Sequence, residues 1–328
     1  MSDTEKLLKL HPTPILCYNY LMTFAEVEQA RKTYHDKSAR AWIILLIIVL
    51  TTLLPILIPL ISGHSFLPLS GLFAPFFLLV VGIIVITLIT HKPREAYYKA
   101  YKAYFVATSL EKTFTHLTYD HAKPLPKEVL KSTSMINTGD RYHSNDLTIA
   151  RYKDVALVQA DAHIEVEHTD SEGRTTYSTI FRGRIMIFEF PKKFNFKLEL
   201  IGHRFYVYKI PGKNPTTGRK MHRIETESTE FNQTFHIYGE DGFETFYILD
   251  PAIMVKIQAI AERYQGRLLL GFVENKLLIA LNDGKDSFEP PKASKPIDEQ
   301  TELLKVQSDI KIITDFIDEL SLDRKLFV

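Results

Sequence analysis

Cysteine is almost missing from this chain: Cys17 stands alone among 328 residues. One thiol cannot close an internal disulfide, and it excludes a zinc site built from paired cysteines. A reducing compartment fits that scarcity. An excess of either charge is missing as well, since 40 Lys and Arg oppose 39 Asp and Glu. No basic stripe is implied, so no nucleic-acid partner is expected. Also absent are a phosphate-cradling GxxxxGK[ST] loop, a GxGxxG dinucleotide turn and an HExxH zinc helix. No cofactor is therefore expected. Catalytic residues stay unknown at this level, and the balance leans away from an enzyme.

The absence that organises the chain is one of charge. Residues 41–61 and 71–90 contain no Asp, Glu, Lys or Arg. At ~1.5 Å per residue each run spans about 30 Å, the hydrocarbon thickness of a bilayer. Apolar core helices of soluble domains are shorter, roughly 10–14 residues, and carry a polar stripe. Each Leu, Ile or Val in the runs favours insertion by about 0.3 to 0.6 kcal/mol, with no charged residue opposing at about 2.5 to 3.5. Both runs are read as membrane spans. The first is too long for a signal-peptide core and lacks a small-residue cleavage site. Pro55, Pro59 and Pro75 are expected to kink these helices without breaking them.

Flanking charge sets the expected orientation. Arg31, Lys32, Lys37 and Arg40 precede the first span, and Lys92, Arg94, Lys99 and Lys102 follow the second. The connecting residues 62–70 hold neither Lys nor Arg. By the positive-inside rule both termini face the cytoplasm, and the expected location is a bacterial inner membrane. On that reading the Asn232-Gln233-Thr234 sequon carries no glycan. Arg40, Trp42, Lys92, Arg94, Tyr97 and Tyr98 are expected at the membrane interface. Helical flanks are expected on either side, over 18–40 and 94–114, packing on each other as a stalk, with headgroup contact as the alternative. The organisation is thus a tail and juxtamembrane helix over 1–40, a hairpin over 41–90, a second juxtamembrane helix over 91–116, and a cytoplasmic domain over 117–328.

Past residue 117 the apolar period changes from 3.6 to 2. Residues 155–168 alternate, with Val158, Ala160, Ala162, Ile164 and Val166 on one face. Gln159, Asp161, His163, Glu165 and Glu167 take the other. A half-buried antiparallel strand is predicted, with the acids and His163 solvated and holding no metal. Further strands are predicted over 175–190, 194–200, 204–210, 223–227, 234–238 and 245–249, with an exposed turn over 211–219. Gly183 and Gly202 mark bulges or close approaches. A helix opens at Pro251, and a hairpin pairs 268–273 with 277–281. In the last helix, 298–322, Leu303, Val306, Ile310, Ile313, Ile317 and Leu320 recur at three-four spacing, widened by Ile312 and Phe316. That stripe predicts docking on the sheet. The fold class is α+β: a transmembrane helical hairpin, an antiparallel-sheet domain and a C-terminal docking helix.

Ser308 and Lys311 have Ser-x-x-Lys spacing, but they lie on an amphipathic helix without supporting motifs. The run 227–232 reads as a polar turn feeding a strand, and Asp250-Pro251 as a helix cap. Glu227, Glu230 and Asn232 are the binding candidates.

Several segments carry a resemblance: 225–232 (ETESTEFN), 235–238 (FHIY), 246–251 (FYILDP) and 288–291 (FEPP), with 142–146 and 181–183 in support. Together they resemble a bacterial domain-of-unknown-function family whose members have two N-terminal membrane spans and a cytoplasmic α+β domain. Asp250 stands where that family usually has threonine. The resemblance implies architecture and transfers no catalytic residue. The expected function is a membrane-tethered interaction or sensing module, whose partners are the lipid bilayer and a protein. The alternatives are a membrane-anchored hydrolase with an unidentified carboxylate site and a lipid-binding module at the membrane surface.

Overall fold

The computed structural model describes residues 22–61, 70–190, 193–194, 196–205, 222–240 and 242–322. Cys17, the connecting loop up to residue 69, the 211–219 turn and most of the 204–210 strand lie outside the described residues. The described chain forms two compact units. One takes its residues from Tyr18–Val106 and Glu289–Leu303, the other from Ala107–Phe288 and Leu304–Val328.

The first unit is built on two long helices, α1 (Phe24–Ile61) and α2 (Ser70–Tyr101), each running through its prolines. A capping box starts α1: Glu26 accepts from the Thr23 N–H at 2.7 Å, and the Glu26 N–H donates to Thr23 Oγ1 at 3.3 Å. The lower parts of the helices meet through aromatic rings. Tyr34 stacks on Tyr97 at 6.3 Å between centroids, and Phe24 packs on Tyr104 and Phe105. Both helices are long and apolar enough to cross a membrane. Residues 289–303 strap this helical base. The Tyr97 hydroxyl donates to the Pro291 carbonyl at 2.9 Å, and the Ile297 N–H donates to Glu28 at 2.8 Å. Arg31, held by Glu28, donates to the Ala293 carbonyl. After α2 the chain unwinds into a wider π-helical stretch, Lys102–Ala107, where Lys102 pairs with Glu289 at 3.1 Å.

The second unit carries a nine-stranded, wholly antiparallel sheet. Its strands are β1 (Thr115–Asp120), β2 (Arg141–Tyr152), β3 (Val155–Thr169), β4 (Thr175–Glu189), β5 (Lys197–Gly202), β6 (His222–Ile224), β7 (Phe235–Gly239), β8 (Leu268–Val273) and β9 (Lys276–Leu281). Their spatial order is β1-β2-β3-β4-β9-β8-β5-β7-β6. Short helices α3 (Thr108–Thr113), α4 (Lys127–Thr133), α5 (Thr229–Thr234), α6 (Gly242–Ile248) and α7 (Pro251–Arg263) join them, and α8 (Glu299–Leu320) ends the fold. One sheet face packs Val158, Ala160, Ile164, Ile185 and Ile187 against Leu130 and Met135. The other face is buried too, through Leu157, Met186, Phe188, Leu277 and Ile279. Burial on both sides is why β8 and β9 read as near-continuous apolar runs.

The helix predicted to dock does so. Val306, Ile310, Ile313, Phe316, Ile317 and Leu320 are all buried. Phe316 stacks on Tyr264 of α7 at 5.8 Å, and Asp318 holds Lys153 at 2.7 Å. The glycine expectations also hold: a Cβ on Gly183 would run into the Leu281 carbonyl, and one on Gly202 into that of Gly266. One predicted strand is corrected. Residues 245–249 fall in or beside α6, and it is Thr245, Ile248 and Leu249 that are buried. Their spacing is helical, and the exposed Phe246 and Tyr247 between them mimic strand composition.

Candidate functional site

Pairing between β2, β3 and β4 lays two cross-strand rows on one face. His143, His163 and Arg182 stand opposite one another, and so do Asn145, Asp161 and Arg184. The two-residue period of a strand keeps both rows on the side away from Ala160 and Ala162. The loop after β9 then closes over the inner row. The Ser287 N–H donates to Asp161 Oδ2 at 2.7 Å, and the Phe288 ring lies 4.9 Å from the Arg184 guanidinium carbon. The Asn145 amide reaches Asp146 at 3.0 Å and Asp286 at 3.3 Å. A cleft of about 260 Å³ remains, lined by His143, Asn145, Asp161, His163, Arg182, Lys285 and Asp286.

Asp161 corrects the expectation of a solvated strand face. It is only 3% exposed, and so is Arg184 beside it. Both residues of this pair are covered by the 282–288 loop and by α8, whose Asp309 carbonyl accepts from Arg184 Nη1. The Arg184 Nε to Asp161 Oδ1 separation is 3.7 Å, too long for a hydrogen bond. Asp161 Oδ1 has no hydrogen-bond partner among the described residues, and neither do Arg184 Nε and Nη2. Burial pushes the Asp161 carboxyl up to about 7; Arg184 opposes this, and the charges of Asp146 and Asp286 add to it. A carboxyl that titrates near neutrality and lines a cleft can give or take a proton at physiological pH.

The outer residues of the same face were expected to be solvated; His163 and Glu165 are half-buried and Glu167 is exposed, and all three are engaged. His163 Nε2 lies 2.8 Å from Thr179 Oγ1 and 3.9 Å from Glu165. Glu167 accepts from the Tyr177 hydroxyl at 2.7 Å, and Arg141 stacks over the Tyr177 ring at 3.2 Å.

The sequence-derived binding candidates lie elsewhere. Asn232 Oδ1 accepts from the Thr226 N–H at 2.9 Å, and its Nδ2 donates to the Thr226 carbonyl at 2.7 Å. Its amide is committed to its own turn. Glu227 and Glu230 are exposed beside it. Ser228 caps α5 by accepting from the Phe231 N–H at 3.2 Å, so the expected polar turn is a short helix. Asp250 caps α7 by accepting from the Ile253 N–H at 2.8 Å. Of the interface candidates, Trp42 is 54% exposed, Arg40 and Lys92 are exposed, and Arg94 lies over the Tyr98 ring at 5.0 Å. Tyr97 departs from that expectation: it is 1% exposed, turned onto the strap.

No named motif pointed to the cleft. Two signals were present, however: the pairing of His143-x-Asn145 with Asp161-x-His163, and the Phe181–Gly183 and 288–291 segments singled out on other grounds. No curated protein and no solved structure matches the chain. Over residues 179–322, which include Arg182, Arg184, Lys285 and Ser287 but not Asp161 or His163, it is similar to the family described as Protein of unknown function (DUF3137).

Proposed function

We propose that this protein is a two-pass bacterial inner-membrane protein, with both termini cytoplasmic, that tethers its sheet domain to the membrane as an interaction or sensing module. One observation carries the reading. The outer stretches of α1 and α2 expose large apolar side chains on nearly every turn, among them Trp42, Ile44, Leu46, Leu54, Phe76, Phe77, Ile84 and Leu88. Such a surface far exceeds the few hundred Å² of contiguous apolar patch that soluble monomers tolerate, and lipid is the solvent that suits it. Basic residues stand at the other end of both helices, which supports the orientation. The partners of this reading are the bilayer and a soluble protein.

Topology reporters test it. Alkaline phosphatase is fused at residue 1, within 62–69, or after Val328. Activity is expected from the internal position alone, with the full chain in the membrane fraction. Periplasmic activity from either terminal fusion overturns the orientation, and full recovery in the soluble fraction overturns the anchor.

A membrane-anchored hydrolase is the second reading, favoured by the near-neutral Asp161 carboxyl in an open cleft. Loss of a hydrolytic activity in Asp161→Asn, with the fold intact, is the result that would promote it. The lipid-binding alternative gains nothing from this cleft, whose lining residues include the charged Asp161, Arg182, Lys285 and Asp286.

A further inference from the structure

The helices α1 and α2 run antiparallel, and two contacts fix their register: Tyr34 stacks on Tyr97, and Leu45 meets Gly82. Levels along the pair can therefore be counted from the tyrosine stack. At about 1.5 Å per residue, Lys37 and Arg94 stand about 4.5 Å beyond it, Lys92 about 7.5 Å and Arg40 about 9 Å. Four cations drawn from two helices thus share a band roughly 5 Å deep. All four are exposed, and none makes an ion pair among the described residues. Over residues 32–40 and 91–99, six Lys and Arg stand against two acids, Asp36 and Glu95, and Glu95 is held by His91 at 3.4 Å. Trp42 and Ile89 come next, about 12 Å from the stack, and with them the exposed apolar surface begins.

Resting on the membrane-anchor reading, we propose that this band binds acidic phospholipids, its guanidinium and ammonium groups holding the headgroup phosphates of a single leaflet. The headgroup region on each side of a bilayer is roughly 5 to 7 Å deep and lies against the hydrocarbon. The band has that depth, and it lies against Trp42 and Ile89. Topology alone needs only an excess of positive charge on one side. A shared level built from both helices adds a surface that a layer of phosphates can meet. A zwitterionic headgroup brings its own ammonium, which the band repels, whereas phosphatidylglycerol leaves its phosphate charge uncompensated. Arg94 is the best-seated donor, with the Tyr98 ring 5.0 Å from its guanidinium carbon and the Tyr98 hydroxyl 3.4 Å from Nη2. Its planar fork suits a phosphate.

The test reconstitutes the full chain in phosphatidylcholine vesicles with a trace of spin-labelled phosphatidylglycerol or spin-labelled phosphatidylcholine. Electron spin resonance reads the fraction of label immobilised on the protein. In 0.1 M salt, phosphatidylglycerol should associate at least about three-fold more strongly than phosphatidylcholine. In 1 M salt the screening length falls from about 10 to about 3 Å, and the preference should drop below about 1.5-fold. Changing Lys37→Gln, Arg40→Gln, Lys92→Gln and Arg94→Gln together should remove it at low salt. Lys131→Gln with Arg151→Gln, exposed on α4 and β2, should retain it. The salt series needs only the unaltered chain, so it decides even where the four substitutions disturb insertion. Alkaline carbonate extraction of each sample reads the anchor separately. Release of the unaltered chain into the supernatant overturns the anchor, and this site with it. A retained chain that associates equally with the two lipids, or whose preference ignores salt, overturns the headgroup site and leaves the anchor standing. So does a preference kept in full by the four-fold variant.

Discussion

Asp161 and Arg184 face each other across β3 and β4, both nearly sealed from solvent, with 3.7 Å between Oδ1 and Nε. The pair holds opposite charges without making the hydrogen bond that would stabilise them. Desolvation therefore outweighs attraction, and the Asp161 carboxyl rises from 3.8 to about 7.

The sign of the pH dependence follows. A carboxyl with a folded value above its unfolded one favours the folded state fully below pH 4, and that contribution is lost as pH climbs towards 7. At roughly 1.4 kcal/mol per pKa unit, the loss is on the order of a few kcal/mol. Melts of the full chain in detergent at pH 5 and pH 8 should show Asp161→Asn gaining on the unaltered protein as pH rises. A difference that stays constant would mean that Asp161 is not held near neutrality.

Removing the partner gives the converse. With Arg184→Met the Asp161 charge loses the buried cation beside it, so the cost should be larger at pH 8 than at pH 5, where protonation relieves it. A buried charge left without its partner costs about 3–5 kcal/mol, and that sets the expected upper range at pH 8. Equal losses at the two pH values would contradict the coupling.

How much was legible follows from where each signal resides. The two long apolar helices were readable because uncharged apolar length is local to the sequence. The docking of α8 was readable from the three-four spacing of Ile310, Ile313 and Ile317. The burial of Asp161 was not, since alternation looks the same whether water or protein covers the polar face. Its cover comes from Ser287, 126 residues away. The strap over 289–303 was hidden for the same reason: Tyr97 bonds Pro291 across 194 positions. The 245–249 segment failed differently, because five β-prone residues carry too little periodicity to separate a short helix from a strand.

Ile313 and Ile317 are both completely buried under the sheet-facing side of α8. Ile313→Ala or Ile317→Ala should each cost about 2–5 kcal/mol, through lost transfer energy and the cavity left behind. Denaturant melts would measure it. Losses under about 0.5 kcal/mol for both would show that the helix is not part of the core.

Within the helical pair, Gly82 of α2 lies against Leu45 of α1 so closely that a Cβ would enter the Leu45 side chain. Small residues allow such contacts between membrane helices. Gly82→Val should destabilise by roughly 1–3 kcal/mol through overpacking, and adding Leu45→Ala should recover part of it. Thermal melts in detergent would show both effects. An unaffected single variant would mean the helices do not meet at this point.

Asn232 offers a choice between structure and binding. Its amide satisfies both backbone groups of Thr226, and Thr226 is itself buried. Asn232→Ala leaves that donor and acceptor without their partner, so a loss of about 1–3 kcal/mol is expected. Asn232→Asp keeps the acceptor that serves the Thr226 N–H but not the donor, and its loss should be smaller. Glu227→Gln and Glu230→Gln act on exposed side chains and should stay within about 0.5 kcal/mol of the unaltered protein. Denaturant melts of all four variants separate the cases. Stability unchanged in Asn232→Ala would free that amide for a ligand and restore the three residues as a binding site.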